Sequence, residues 1–397
     1  YRNNDRLVRD DAELAAWLWE RIRRQLPELD GAKPLGLNPR FRFCRYRDGQ
    51  QFTEHRDGAW APSPSARTRL TVQVYLNDAA EFEGGATRFT QTGLSVAPRR
   101  GMAIVFDHRL WHEGCAVTKG TKYVLRTDVL YPYAPRAAEA TGSGVLREGE
   151  RFEGHLGYVW SAIPGVYSGS RDGTVRRWPT GEVLLKAPSS VTCVARDGDG
   201  VVWAGTRAGD LYAGGQRVAR HAGSVLALVR LSDGRVASSG ADGVLRIGER
   251  TLQLGGGWVW SLCETEPGRL AAGCEDGMVR TVDLDWWEVL KVEHFPAAVH
   301  AVSRGGVGLA DGRLVAGGRV LEAHRGIVTG MVDLGDGRVA TSSEDCTVAV
   351  WDLASGRRLG EGRCDDFVRS VTVDGQALLT ASYDGTVRRW AIDFERI

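Results

Sequence analysis

Two histidines and an aspartate, His55, Asp57 and His112, are the residues of this chain whose types and spacing could do chemistry. Two imidazoles and one carboxylate converging on a point hold non-haem iron(II) and leave coordination positions open for a chelating ligand and dioxygen. His55 and Asp57 are separated by one residue, so at the end of a strand their side chains point alike. One such pair means little in a chain with eight histidines, and its weight comes from context. The third ligand must come from a distant strand. His112, in HRLWHEG directly behind the apolar run GMAIVF, is favoured, with His108 in the same turn as its rival.

Two cations lie beyond His112. Lys122 opens the run TKYVLRTDVLY, and Arg126 stands further along the same face of that strand. At strand rise they are roughly 13 Å apart, too far to grip one small anion together. Lys122 is preferred as an anion anchor by its spacing after His112. Arg126 is left to contact substrate or to pair with the neighbouring Asp128.

Short strands must position these residues. FRFCRY, RLTVQVYL, GMAIVF and TKYVLRTDVLY are alternating runs separated by Gly, Asp and Pro turns, the pattern of a sheet. They suit a compact antiparallel barrel or double-sheet jelly roll. Ahead of them, Leu14, Leu18, Ile22 and Leu26 recur at helical spacing until Pro27, which predicts one amphipathic helix. Trp17 and Trp19 on that helix are read as packing residues, and Arg67 and Arg69 as exposed. The stretch 131–144 gathers Pro, Ala, Gly and Ser without periodicity, the composition of a boundary. We therefore expect a first domain over 1–135, a linker over 136–144 and a second domain over 145–397.

The bulk numbers agree with two domains and narrow the partners. At 397 residues the chain exceeds the size at which single cores stop growing. Its 51 Lys+Arg nearly balance 50 Asp+Glu, so no global field favours nucleic acid or an anionic membrane. Seven scattered cysteines without a C-x-x-C pair read as reduced thiols. No basic and apolar leader or membrane-length apolar run is present, and a cytoplasmic location is the expectation. The oligomeric state is not legible.

The second domain repeats itself. A small-residue step, an Asp-Gly-like turn and an apolar strand recur as SGSRDGTVRRW, SSGADGVLRI, AAGCEDGMVRTV, TSSEDCTVAVW and TASYDGTVRRW, with weaker copies at Ala208-Gly209 and Asp311-Gly312. The spacing is about 35 residues, room for four short strands that cannot bury a face alone. A valine opening a second strand recurs independently at Val159, Val191, Val225, Val259, Val299, Val328 and Val368. With Gly154-His155, His221, His324 and Trp351-Asp352, this region resembles the WD-repeat β-propeller family over roughly 145–397. The resemblance implies seven blades, with VLREGERFEG supplying the outer strand that the last repeat lacks. The propeller's loops are short and show no concentrated charge or aromatic patch, so they name no ligand.

The first domain resembles the prolyl 4-hydroxylase branch of the iron(II)/2-oxoglutarate oxygenases. Tyr46, YRDGQQFTEHRDG, RLTVQVYLND, the turn GGAT (Gly84 to Thr87) and HEGCAVTKGTKY carry the resemblance, which covers about 38–132. It implies a double-stranded β-helix with iron(II) on His55, Asp57 and His112, and Lys122 on the distal carboxylate of 2-oxoglutarate. Tyr46 and Tyr75 would add hydroxyl contacts to the keto acid, and Arg126 also belongs among the candidate co-substrate contacts. GGAT is read as architectural. The implied reaction converts 2-oxoglutarate and dioxygen to succinate and carbon dioxide while hydroxylating a C–H bond, with ascorbate as an auxiliary reductant. Because Asp57 fills the third protein position, hydroxylation is favoured over halogenation. The expected substrate is a protein or peptide recruited by the propeller, which also has scope to bind a protein partner. The alternatives are a free amino acid or metabolite, or a non-enzymatic scaffold.

Overall fold

In a computed structural model the protein is described over residues 4–29, 31–55, 57, 62, 66–90, 92–108, 110–132, 143–255 and 257–393. The chain divides into two compact units, Tyr1–Pro135 and Arg136–Ile397. Most of the expected linker, 136–142, lies outside the described residues. Ser143 and Gly144 pair with Glu361 and Gly360 in a sheet of the second unit.

In the first unit, β1 (Asp5–Asp10) leads into helix α1 (Ala12–Ile22), then β2 (Gly36–Leu37), β3 (Arg40–Tyr46), β4 (Phe52–His55) and β5 (Ala66–Tyr75). After β6 (Phe82–Gly84), β7 (Thr87–Phe89), β8 (Leu94–Val96) and β9 (Ala103–Asp107) come β10 (His112–Gly114), β11 (Val117–Gly120) and β12 (Lys122–Pro132). One sheet has the order β1-β3-β12-β5-β9, with β2 also on β12; a smaller one runs β4-β10-β7-β8, and β11 pairs β6. Asp11 caps α1 by accepting the Leu14 N–H at 2.9 Å. The helix ends at Ile22 rather than reaching Leu26, because the chain tightens first, Gln25 N donating to Ile22 O. Leu26 still joins the core with Ala15, Leu18, Phe41, Leu70, Val72 and Leu125, so α1 packs on one face of the large sheet. Trp17, by contrast, is exposed under the Arg21 guanidinium, and Arg67 is buried rather than exposed.

Strand alternation sends the polar residues to the other face. Along β12 these are Lys122, Arg126 and Asp128; on its neighbours they are Tyr46 and Arg42 of β3, and Thr71, Gln73 and Tyr75 of β5. This lane of polar side chains lies inside the unit, and it positions the site.

The second unit contains seven antiparallel sheets of four or five strands among the described residues. Successive inner strands touch in a cycle that ends with Val368–Asp374 against Val159–Ile163. Closure is completed by Leu146–Phe152, which pairs antiparallel with Val387–Ile392 as the outer strand of the last sheet, so that Val387–Ile392 is not left as an edge strand. The repeat histidines are structural. His155 reaches Asp172 at 3.0 Å and Ser168 at 2.8 Å, and Trp178 donates to the same serine; His324, Asp345, Thr341 and Trp351 repeat the arrangement. At the Asp-Gly-like turns of the repeats glycine adopts positive φ, as at Gly173 (82°), and in TSSEDCTVAVW Cys346 takes that place at 73°.

The closing strand is also held by charge. Arg388, fully buried, lies 2.6 Å from Asp384, 2.9 Å from Asp365 and 3.2 Å from Glu148 of the closing strand. Removing one partner of a buried ionic cluster costs about 3–5 kcal/mol. Arg388→Met is therefore expected to destabilise the propeller by an amount of that size and so to lower its unfolding temperature, and calorimetry checks it.

Candidate metal centre

His55 ends β4 and His112 begins β10, and the two are directly opposed in the antiparallel pairing of those strands. Their rings lie 4.3 Å apart between centroids. Each Nδ1 faces a backbone carbonyl, Thr53 O at 2.8 Å for His55 and Leu110 O at 2.9 Å for His112. A proton on Nδ1 satisfies those carbonyls and leaves the Nε2 lone pair as donor, the usual way a ligating imidazole is oriented. Phe52 stacks on His55 at 3.4 Å, and Phe106 meets His112 edge-on at 4.6 Å, which locks both rings.

Asp57 lies just past β4, where its N–H donates to His108 O at 3.1 Å. Its Oδ1 is 3.7 Å from His55 Nε2, and its Oδ2 is 3.5 Å from His112 Nε2. The three ligand atoms lie within 4.8 Å of one another. Oδ2 also accepts the Thr71 hydroxyl at 2.6 Å and a short bond from the Arg126 guanidinium. Oδ1 faces His55 and is the oxygen placed for a cation.

Electrostatics support that reading. Burial pushes His55 down to about 3 against the pull of Asp57, and burial likewise lowers His112. Both imidazoles are neutral at pH 7, as metal ligands must be. Burial works to raise the Asp57 carboxyl, but Arg126 and the imidazoles outweigh it and hold the group well below the usual range. Among the described residues the buried His112 Nε2 has no hydrogen-bond partner. Two neutral imidazoles, one anion and an orphaned nitrogen suit a divalent transition metal of the iron(II) class.

Lys122 is buried at the start of β12, its ammonium 2.5 Å from Gly85 O and 5.3 and 5.5 Å from the ring centres of Tyr46 and Tyr75. Burial lowers its pKa to about 8. The Tyr75 hydroxyl donates to Thr87 Oγ1 at 2.7 Å, which also accepts from Gln73 at 2.9 Å. The glycines of the turn GGAT take positive φ, the architectural role expected of it, while Gly85 O accepts from the lysine and Thr87 Oγ1 from the tyrosine. Gly84 cannot carry a side chain; its φ is 76° and a Cβ would meet Ala116 O at 2.3 Å.

Arg126 stands apart from Lys122 and is committed to Asp57, not to Asp128. Asp128 is taken by Arg42 at 3.0 Å and by Asn38 at 3.2 Å. His108 lies 3.6 Å from Asp128 and outside the three-residue cluster. Thr71 and Thr87 fall inside runs that carry the resemblance but are given no role by it, and Arg42 and Asn38 carry no motif; the inward strand positions of Thr71, Thr87 and Arg42 are the only local signal.

Residues 41–127 match the model of the 2OG-Fe(II) oxygenase superfamily. Residues 316–352 and 357–391 match the WD domain, G-beta repeat, and 186–208 the two component regulator propeller. The chain is 46% identical over 59 residues to procollagen-lysine,2-oxoglutarate 5-dioxygenase 1 of Mus musculus, which covers 14% of this chain and 8% of that protein. It is 32% identical over 89 residues to a PKHD-type hydroxylase of Sphingopyxis alaskensis, covering 21% of this chain and 41% of that protein. The chain thus spans less than half the length of either relative. The crystal structure of the WD40 β-propeller domain of Doa1 superposes with a TM-score of 0.57 at 21% identity, covering 63% of this chain and 98% of that one. The chain therefore carries a domain of the 2OG-Fe(II) oxygenase superfamily at residues 41–127, joined to a β-propeller with WD repeats.

Proposed function

We propose that the protein is an iron(II)- and 2-oxoglutarate-dependent dioxygenase that hydroxylates a C–H bond in a protein or peptide, its propeller serving to recruit that substrate or another protein. The convergence of His55 Nε2, His112 Nε2 and an Asp57 oxygen carries this reading. Iron(II) bound there would supply the oxidising chemistry with the keto acid and dioxygen. Lys122 pairs with the distal carboxylate of 2-oxoglutarate, with the Tyr46 and Tyr75 rings beside its ammonium. Thr71 and Arg126 orient the carboxylate ligand, and the surrounding phenylalanines exclude water. One relative, named for procollagen lysine, supports a polypeptide target, and another, named as a hydroxylase, supports hydroxylation. The test is conversion of 2-oxoglutarate to succinate with added iron(II) and ascorbate, followed by mass spectrometry of copurifying proteins for the gain of one oxygen atom. Absence of both would refute the proposal.

Lys122 makes the reaction pH-dependent in a definite direction. With its folded pKa at about 8, the free enzyme loses the anchoring charge as pH rises through 8. Above that point kcat/KM for 2-oxoglutarate falls about tenfold per pH unit. Stability of the ligand-free protein moves the opposite way. The folded pKa lies below the ordinary 10.5, so between these values the unfolded chain binds more protons and stability rises with pH. Rate profiles and denaturant titrations over this window check both slopes.

A further inference from the structure

The axis of the propeller gathers chemistry that the linear sequence scatters. All seven inner strands open on a valine followed by a register shift, so the next residue is an extra, unpaired one. A bulge of this kind re-aims a side chain, and here every such residue lines one cavity of about 180 Å³ on the axis. Four of the seven are Trp160, Trp260, His300 and Arg369; the rest are a leucine and two threonines. Both threonine hydroxyls are spent on backbone carbonyls. The short loops expected to carry no aromatic patch are therefore beside the point, because the patch is assembled by the ring.

Trp260 stacks on His300 at 4.2 Å with planes 21° apart, and the Arg369 guanidinium sits 5.5 Å from the Trp260 ring centre. The Trp260 N–H is taken by Glu275. Among the described residues, three buried polar atoms at this cavity are without a partner: Trp160 Nε1, Ser261 Oγ and Nδ1 of His300, a residue only 9% exposed. Among the described residues, no aspartate or glutamate lines the cavity and Arg369 has no ion-pair partner. The cavity thus offers one guanidinium, an indole N–H and a hydroxyl against aromatic walls. We propose that this axial cavity binds a carboxylate on a short aliphatic stem, with Arg369 as its counterion and Trp160 Nε1 as a second donor. A single guanidinium matches a monoanion and presents paired N–H groups to its two oxygens. The volume admits an acidic side chain or a small free acid and leaves the ring of strands undisturbed.

The test is calorimetric titration of the full chain with three probes: an acetylated, amidated tetrapeptide of four glutamates, its all-glutamine counterpart, and propionate. Tryptophan fluorescence is followed in parallel. Binding of the glutamate peptide assigns the site to an acidic segment of a protein, and binding of propionate alone assigns it to a free acid. In either case Arg369→Met should weaken binding by about tenfold or more, Arg369→Lys should retain part of it, and Trp160→Phe should weaken it while keeping the ring. Unchanged unfolding temperatures in these part-exposed positions keep the comparison clean. Equal binding of the glutamine peptide, no binding of either acid, or binding indifferent to Arg369 would overturn the proposal.

Discussion

His112→Ala is expected to abolish succinate formation and to lower affinity for iron(II) or manganese(II) by more than a hundredfold, roughly the upper range for losing a mere outer-sphere partner. The substitution removes one of three donors and leaves a pair that cannot enclose a cation. His112 is buried against Phe106 and Phe89, so a moderate stability loss, about 1–3 kcal/mol, accompanies it. Circular dichroism separates that loss from unfolding. His108→Ala is the paired control. His108 sits beside Asp128, and only its backbone carbonyl touches Asp57, so metal affinity should change by a few-fold at most. If His112→Ala keeps its metal while His108→Ala loses it, the ligand assignment fails.

Arg126→Met should show the opposite coupling between metal and stability. The guanidinium neutralises Asp57 in a buried site, and truncating one member of such a pair costs about 3–5 kcal/mol because the other is stranded. A divalent cation on Oδ1 would supply the missing charge. Unfolding of the variant should therefore move up with added manganese(II) more than that of the parent chain, following the usual linkage between ligand and stability. His112→Ala should show no such recovery. A metal-independent loss in Arg126→Met would mean that Arg126 acts by packing, and no loss would remove it as counterion.

These two residues also separate what the linear sequence contained from what folding added. His55 and Asp57 were legible together because alternation along a strand is local, and His112 because it follows an apolar strand. The propeller was legible because each repeat carries its own turn and inner valine. The partner of Arg126 was not. Sequence proximity offers Asp128, two residues away on the same face, but register across β12 and β3 delivers Arg42 to Asp128, while Asp57 arrives from the far sheet, 69 residues away. The axial ring behaves likewise, since Trp160, Trp260, His300 and Arg369 are ordinary strand residues until seven bulges turn their positions to one centre. Periodicity along a chain settles which side of its own strand a residue occupies. Which partner it meets depends on register between strands and on closure of the sheets, interactions between residues distant in sequence that no local pattern encodes.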